Sequence, residues 1–383
     1  MQSAQEGDSE DLSDCTDTYM QEAFGDDDGE GSPPLAPAEL TMEVFEAAWA
    51  SLRALRPSPP RSAPTSGKAV RACQRALQLG FARENVLRKY SKSECSALLV
   101  AFCSLTPTPA DESTPPSFEF VGVARRIGAS HTLCLSDPLQ AWFLRPSRSA
   151  RADLDRQPDP FAAVLAVVER EVGLLRPSRV VCIGSSMGGY AAARCGLALR
   201  RAALPPVRTL EVLAFGPQVV IHPWERVAMH LPVMSFEPAL DRLQRAAAAL
   251  RMPLCSLVHL LEQEASHPPL SARGECLPLP QLTLSIHVGA LSPSDVKEAR
   301  LLQHVAKQML PGRCESMYES VPPAGAAPAH ATRTLCRMAQ TRAESRVEVD
   351  VHMHAESDHF LAYDLRERGL LDTLAKEALF RAS

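Results

Sequence analysis

The sequence predicts an α/β protein: a mostly parallel sheet flanked by helices, with a helical lid insertion and a disordered acidic N-terminus. Three observations carry that expectation. Six short apolar runs alternate with helical periodicity along residues 96–383, the order that gives a parallel sheet with right-handed crossovers. Val180 to Ala193 reads as a buried strand, a G-x-S-x-G turn and a small-residue helix. The chain of 383 residues is 45% hydrophobic and 22% charged, enough for a sizeable core.

The first strand is Ala97–Leu105, apolar throughout, followed by a crossover helix over Phe118–Ile127 and a second strand over His131–Leu135. Helical spacing over Asp159–Leu175 stops at Arg176-Pro177, because proline disfavours helix in the residue before it. Val180–Ile183 is β-branched and leads through the turn into a helix from Met187 to about Arg200. Leu210–Phe215, Leu282–Val288 and Val347–Met353 are the remaining strands, with helices over Asp295–Gln308 and His359–Phe380. Two insertions interrupt this rhythm: residues 224–276, mostly helical, and residues 310–345, loop-like and rich in Ala and Pro.

Residues 39–95 read as a helical N-terminal extension, with helical stretches over 39–55 and 70–87 joined by a Pro/Ser linker. Before it, residues 1–30 hold eleven Asp/Glu and no Lys/Arg. A segment so acidic and so poor in aromatics cannot bury enough apolar surface to order itself, so residues 1–38 read as a disordered tail that could dock a protein partner. The rest of the chain carries 34 acidic and 40 basic residues, and the whole has a net charge of −5. Its mild basicity lacks the motif and aromatic platform of a nucleic-acid binder. No apolar run is long enough to span a membrane. Eleven cysteines without C-x-x-C pairs fit a reducing, cytoplasmic setting, with Cys103, Cys134 and Cys182 read as packing residues. The acidic run Asp26–Asp28 lacks the alternating ligands of a calcium loop.

The G-x-S-x-G turn is informative because a sharp strand-to-helix reversal lifts Ser186 clear of the sheet. Gly184 and Gly188 flank it so that no side chain collides with strand or helix. A serine hydroxyl needs a base, normally a histidine oriented by a carboxylate. Both are sought in loops at the carboxyl ends of later strands. Asp295, just after Leu282–Val288, is the candidate acid, although an acidic residue there would also stabilise a helix N-terminus. Glu225 is less well placed. His359, at the start of the final helix, is the candidate base, with His354 second. The His352/His354 pair could bind a metal, but no carboxylate cluster accompanies it, so no metal is expected. The oxyanion donors expected are the N–H of Met187 and one from the Ser104 region, where Leu105 is the other candidate and no glycine is present. Asp137 and Trp142 follow another strand end and could line the cleft, with helix capping and core packing as their alternative roles.

These residues resemble those of the α/β-hydrolase superfamily over roughly residues 96–383: GSSMGG at 184–189, then Asp295 and His359 in matching order. GSSMGGYAA, AFGPQ (Ala214–Gln218) and DHFLAYDLRERGLL (Asp358–Leu371) are similar to poorly characterised bacterial α/β-hydrolases, some of them associated with surface polysaccharide synthesis. The resemblance implies cleavage of an ester, thioester or amide of a small-molecule acyl substrate through an acyl-serine, without a cofactor. The chain departs from the pattern in its glycine-free oxyanion loop, the long insertion before the last strand and the N-terminal extension. Three readings follow: a serine hydrolase, an acyltransferase on the same triad, and a catalytically inactive hydrolase fold acting as a binding or scaffold protein.

Overall fold

The computed structural model describes residues 85–92, 94, 96–105, 118–137, 139–145, 159–222, 225–226, 229, 231, 237–250, 252–266, 279–309, 314–315, 335–337 and 347–381. The expected acidic tail, and the N-terminal extension up to residue 84, lie outside these residues.

Nine strands form one sheet: β1 (Val86–Tyr90), β2 (Ala97–Phe102), β3 (His131–Leu135), β4 (Arg179–Ser185), β5 (Thr209–Phe215), β6 (Gln281–Gly289), β7 (Cys314–Glu315), β8 (Leu335–Arg337) and β9 (Val347–His354). Their spatial order is β1-β3-β2-β4-β5-β6-β9-β8-β7. The six central strands, β3 to β9 in that order, are mutually parallel. The β1 edge and the β7–β8 edge pair antiparallel. The expected parallel α/β sheet is therefore present.

Parallel strands buried on both faces are near-continuous apolar runs, and their side chains alternate between the two sides. Leu98, Val100 and Phe102 of β2 join one core cluster, while Leu99 and Ala101 join the other. The first cluster is completed by α2 (Ala162–Leu175), α3 (Met187–Ala202), α4 (Glu237–Ala249), α5 (Leu257–Ser266) and α6 (Pro293–Met309). The second lies beneath α1 (Val121–Arg126), α7 (Leu361–Glu367) and α8 (Leu370–Phe380). Among the described residues no helix is long and apolar enough to cross a membrane.

Several boundaries differ from expectation. Val86–Tyr90 is an edge strand rather than the end of a helical extension. Leu87 and Lys89 are exposed, while Arg88 and Tyr90, on the other side of the strand, both bond Glu171 on α2 at 2.8 and 2.9 Å. The crossover helix is only Val121–Arg126. Two short strands fall inside the expected loop 310–345. The C-terminal helix is broken at Gly369, whose φ of 69° ends one turn and starts another. The insertion 224–276 contributes α4 and α5 among its described residues, and Tyr190 Oη on α3 donates to Cys255 O at 2.7 Å.

The registers place the chemistry. Ser185 aligns with Phe215, Phe215 with His287, and His287 with His352. The carboxyl ends of β4, β5, β6 and β9 therefore share one edge of the sheet, where ligand sites of open α/β sheets form.

Candidate active site

Ser186 occupies the turn between β4 and α3 with φ 52° and ψ −118°, a conformation that costs a non-glycine residue on the order of 1–3 kcal/mol. The surrounding contacts hold it there: Ser186 N–H donates to Phe215 O at 2.8 Å, and Tyr190 N–H to Ser186 O at 3.1 Å. The turn closes only because its neighbours lack side chains. A Cβ on Gly184 would lie 2.2 Å from Gly188 O, and one on Gly188 would lie 2.2 Å from Phe102 O.

Asp295 and His359 come from the loops after β6 and β9. Helix α6 opens on Pro293, where the missing N–H costs nothing, and Asp295 sits buried in its first turn. His359 lies just ahead of α7 and remains partly exposed. Its Nδ1 is 2.8 Å from Asp295 Oδ2, and its Nε2 is 3.1 Å from Ser186 Oγ. A carboxylate can only accept, so Nδ1 carries the proton and the bare Nε2 accepts from the serine hydroxyl. Burial works to lower the His359 pKa, but the hydrogen bond to Asp295 and the charges of Asp295, Glu298 and Asp358 outweigh it, and the net shift from the ordinary value of 6.5 is upward. The imidazole is thus a stronger base than in water, aimed at a hydroxyl.

The alternative base and acid are engaged elsewhere. His354 Nε2 lies 3.2 Å from His287 Nδ1, and His352 stacks on His287 with ring centroids 4.5 Å apart. Burial, with the nearby His352 and Arg368, pushes the His354 pKa down to about 4. Among the described residues no group of three His, Cys, Asp or Glu side chains is arranged to hold a metal. Glu225 accepts from Ser256 Oγ at 2.5 Å.

Met187 is the first residue of α3, so its N–H has no carbonyl partner within the helix. Ser104, the other expected oxyanion donor, is committed: its N–H donates to Glu119 Oε2 at 2.8 Å. The sequence could not reveal this, because Glu119 lies fifteen positions further along the chain.

Asp137 does not line the cleft. It is buried against Arg145 at 2.5 Å, and its other oxygen accepts the N–H groups of Ala141 and Phe143 at 3.0 and 2.7 Å. Trp142 is fully buried as well, so neither residue offers a substrate-facing surface. Instead the indole Nε1–H donates to Gln218 Oε1 at 3.1 Å, and Gln218 Nε2 donates to Ser186 Oγ at 2.6 Å. Gln218 is the residue the site reading missed. The signal was its place three residues past β5, at the same strand edge as the other candidates. Glu298 fixes this segment by accepting Val219 and Val220 N–H at 2.6 and 2.9 Å while pairing with buried Arg226 at 2.6 Å.

No protein-family profile and no curated protein matches the sequence. Solved structures with a similar course of chain include a hormone-sensitive lipase from a metagenome library, 13% identical, covering 91% of this chain and 99% of that one at a TM-score of 0.38. An esterase of the bacterial hormone-sensitive lipase family is 14% identical over 88% of this chain and 96% of its own, also at 0.38. A capsule O-acetyltransferase of Neisseria meningitidis serogroup A, solved with CoA, is 11% identical over 58% of this chain and 78% of its own at 0.33. The chain's own strand order and turn geometry describe a mostly parallel α/β sheet with a strand–turn–helix at Ser186.

Proposed function

We propose that this protein is a serine hydrolase that cleaves an ester or thioester through an acyl-serine intermediate. The observation that carries the reading is the continuous path from Ser186 Oγ through His359 to Asp295, at 3.1 and 2.8 Å. These are hydrogen-bond distances for a nucleophile, its base and the group that orients the base.

In the first half-reaction Ser186 Oγ bonds to the acyl carbon and its proton passes to His359 Nε2. The carbonyl π pair moves onto oxygen, where Met187 N–H receives it. Collapse breaks the bond to the leaving alcohol or thiol, which departs with the proton from His359. Water then repeats the cycle on the acyl-serine, with His359 as base again. This chemistry calls for no cofactor. Helices α4 and α5 of the insertion are the parts of the chain proposed to border the acyl pocket as a lid. Cys103, Cys134, Cys182, Cys195 and Cys255 carry free thiols, the first four of them buried, which supports a reducing, cytoplasmic setting.

The test is labelling by a fluorophosphonate probe. Wild-type protein labels, and Ser186→Ala does not while keeping its melting temperature. Hydrolysis of p-nitrophenyl butyrate falls by about 10⁴- to 10⁶-fold in the same variant. Labelling that survives Ser186→Ala removes Ser186 as the nucleophile.

A further inference from the structure

A tetrahedral intermediate needs more than one donor on its oxygen, and the backbone donor expected at Ser104 is already bonded to Glu119. We propose that the side-chain amide of Gln218 supplies the second oxyanion donor. This assignment rests on the reading of Ser186 as the nucleophile.

The orientation of the amide follows from its neighbours. An indole N–H can only donate, so the atom of Gln218 facing Trp142 Nε1 is the oxygen, at 3.1 Å. The nitrogen therefore faces Ser186, 2.6 Å from Oγ. Ser186 gives its one proton to His359 Nε2, so its oxygen has lone pairs for an N–H and no proton left to compete for one. The amide nitrogen carries two N–H bonds, and the hydroxyl takes one. When Oγ bonds to the acyl carbon, the developing oxyanion is attached to that same carbon, roughly 2.3 Å from Oγ by ordinary tetrahedral geometry. A nitrogen already 2.6 Å from Oγ reaches that oxygen by a small rotation.

The amide is also held in place before substrate arrives, which is what makes such a donor effective. Trp142 is buried and fixes its oxygen, while the Glu298 carboxylate fixes the backbone of the next two residues. Gln218 itself is 2% exposed. Such a buried, doubly tethered amide does not wander into solvent.

The experiment replaces Gln218 by Met and by Leu, both similar in volume, uncharged and without N–H groups. Two measurements are made on each: turnover of p-nitrophenyl butyrate, and the pH titration of the hemiketal formed with a trifluoromethyl ketone carrying ¹³C at the carbonyl. The proposal expects kcat to fall by about 10²- to 10³-fold with little change in KM. It also expects the hemiketal oxygen to titrate about two pH units higher, the same 10²-fold expressed in protons. A purely structural role for Gln218 would leave the hemiketal titration where it was. Where Gln218→Met does not fold, Gln218→Leu supplies both readouts. If wild type labels through Ser186 but both variants keep kcat and the hemiketal titration, Gln218 is no oxyanion donor and the nucleophile reading stands. If wild type neither labels nor turns over, both readings fall together.

Discussion

Gly216 lies against the ring of His359: a Cβ there would stand 3.4 Å from Nδ1 and 3.3 Å from Asp295 Oδ2. The glycine is in the left-handed region at φ 50°, and its N–H is tied to His287 O at 2.7 Å. One residue thus ends β5, turns the chain toward Gln218 and leaves room for the hydrogen bond that orients the base.

Gly216→Ala is therefore expected to act twice. The left-handed backbone costs about 1–2 kcal/mol of stability for a residue with a Cβ. At 3.3–3.4 Å the new methyl asks Asp295 and the imidazole to give by a few tenths of an ångström, so kcat falls by well under the 10²-fold that a misplacement of about 1 Å costs. Urea denaturation and steady-state kinetics measure the two effects separately. A variant that loses stability but turns over like wild type would show that the His359 ring does not depend on this space.

The pH profile follows from the electrostatics at His359. Its pKa in the folded protein is raised above 6.5, and only the neutral ring can take the serine proton. The acid limb of kcat/KM is therefore expected to have its midpoint above 6.5. Folding energetics run the other way. The stabilising contribution of the protonated ring is fully present below the unfolded value and is lost as pH rises through the folded one. The pH of greatest activity thus lies above the pH at which this contribution peaks. Asp295→Asn removes a charge that raises the pKa while burial still lowers it, so the limb moves to lower pH. Turnover falls by about 10⁴-fold in the same variant. A limb that stays in place would mean that some other group titrates.

The parts of this site that were legible are those written locally. The strand, the G-x-S-x-G turn and the helix after it are contiguous, and Gly184 is demanded by the carbonyl of Gly188 four residues on, although Gly188 itself clears Phe102 O on β2. Asp295 and His359 were legible because each follows an apolar strand, and parallel strands end level. Ser104, Asp137 and Gln218 were not. What decides their roles is a side chain arriving from elsewhere in the chain: Glu119 at the Ser104 N–H, Arg145 at Asp137, Trp142 at the Gln218 oxygen. Strand β1 was missed for a related reason. Val86–Tyr90 is short and largely exposed at its middle three residues, and its Arg and Tyr are engaged by Glu171 from α2.

The loop that carries Trp142 gives the last prediction. Gln140, Trp142 and Phe143 all have φ between 51° and 60°, so three residues of this short segment are held in a conformation their side chains disfavour. Asp137 holds them, accepting two loop N–H groups and facing the Arg145 guanidinium, with both side chains almost wholly buried. Asp137→Ala leaves that guanidinium buried without its carboxylate, and it is expected to destabilise the fold by about 3–5 kcal/mol. Adding Arg145→Met removes the stranded charge, and much of the stability should return, because replacing both members of a buried pair costs far less than removing one. The backbone N–H groups of Ala141 and Phe143 still lack their acceptor in the double variant, so the loop relaxes and Trp142 no longer anchors Gln218. Turnover should therefore stay low where stability has recovered. Thermal unfolding followed alongside kcat separates the two quantities. A single variant as stable as wild type whose KM alone rises would instead make Asp137 a substrate contact, contrary to its burial.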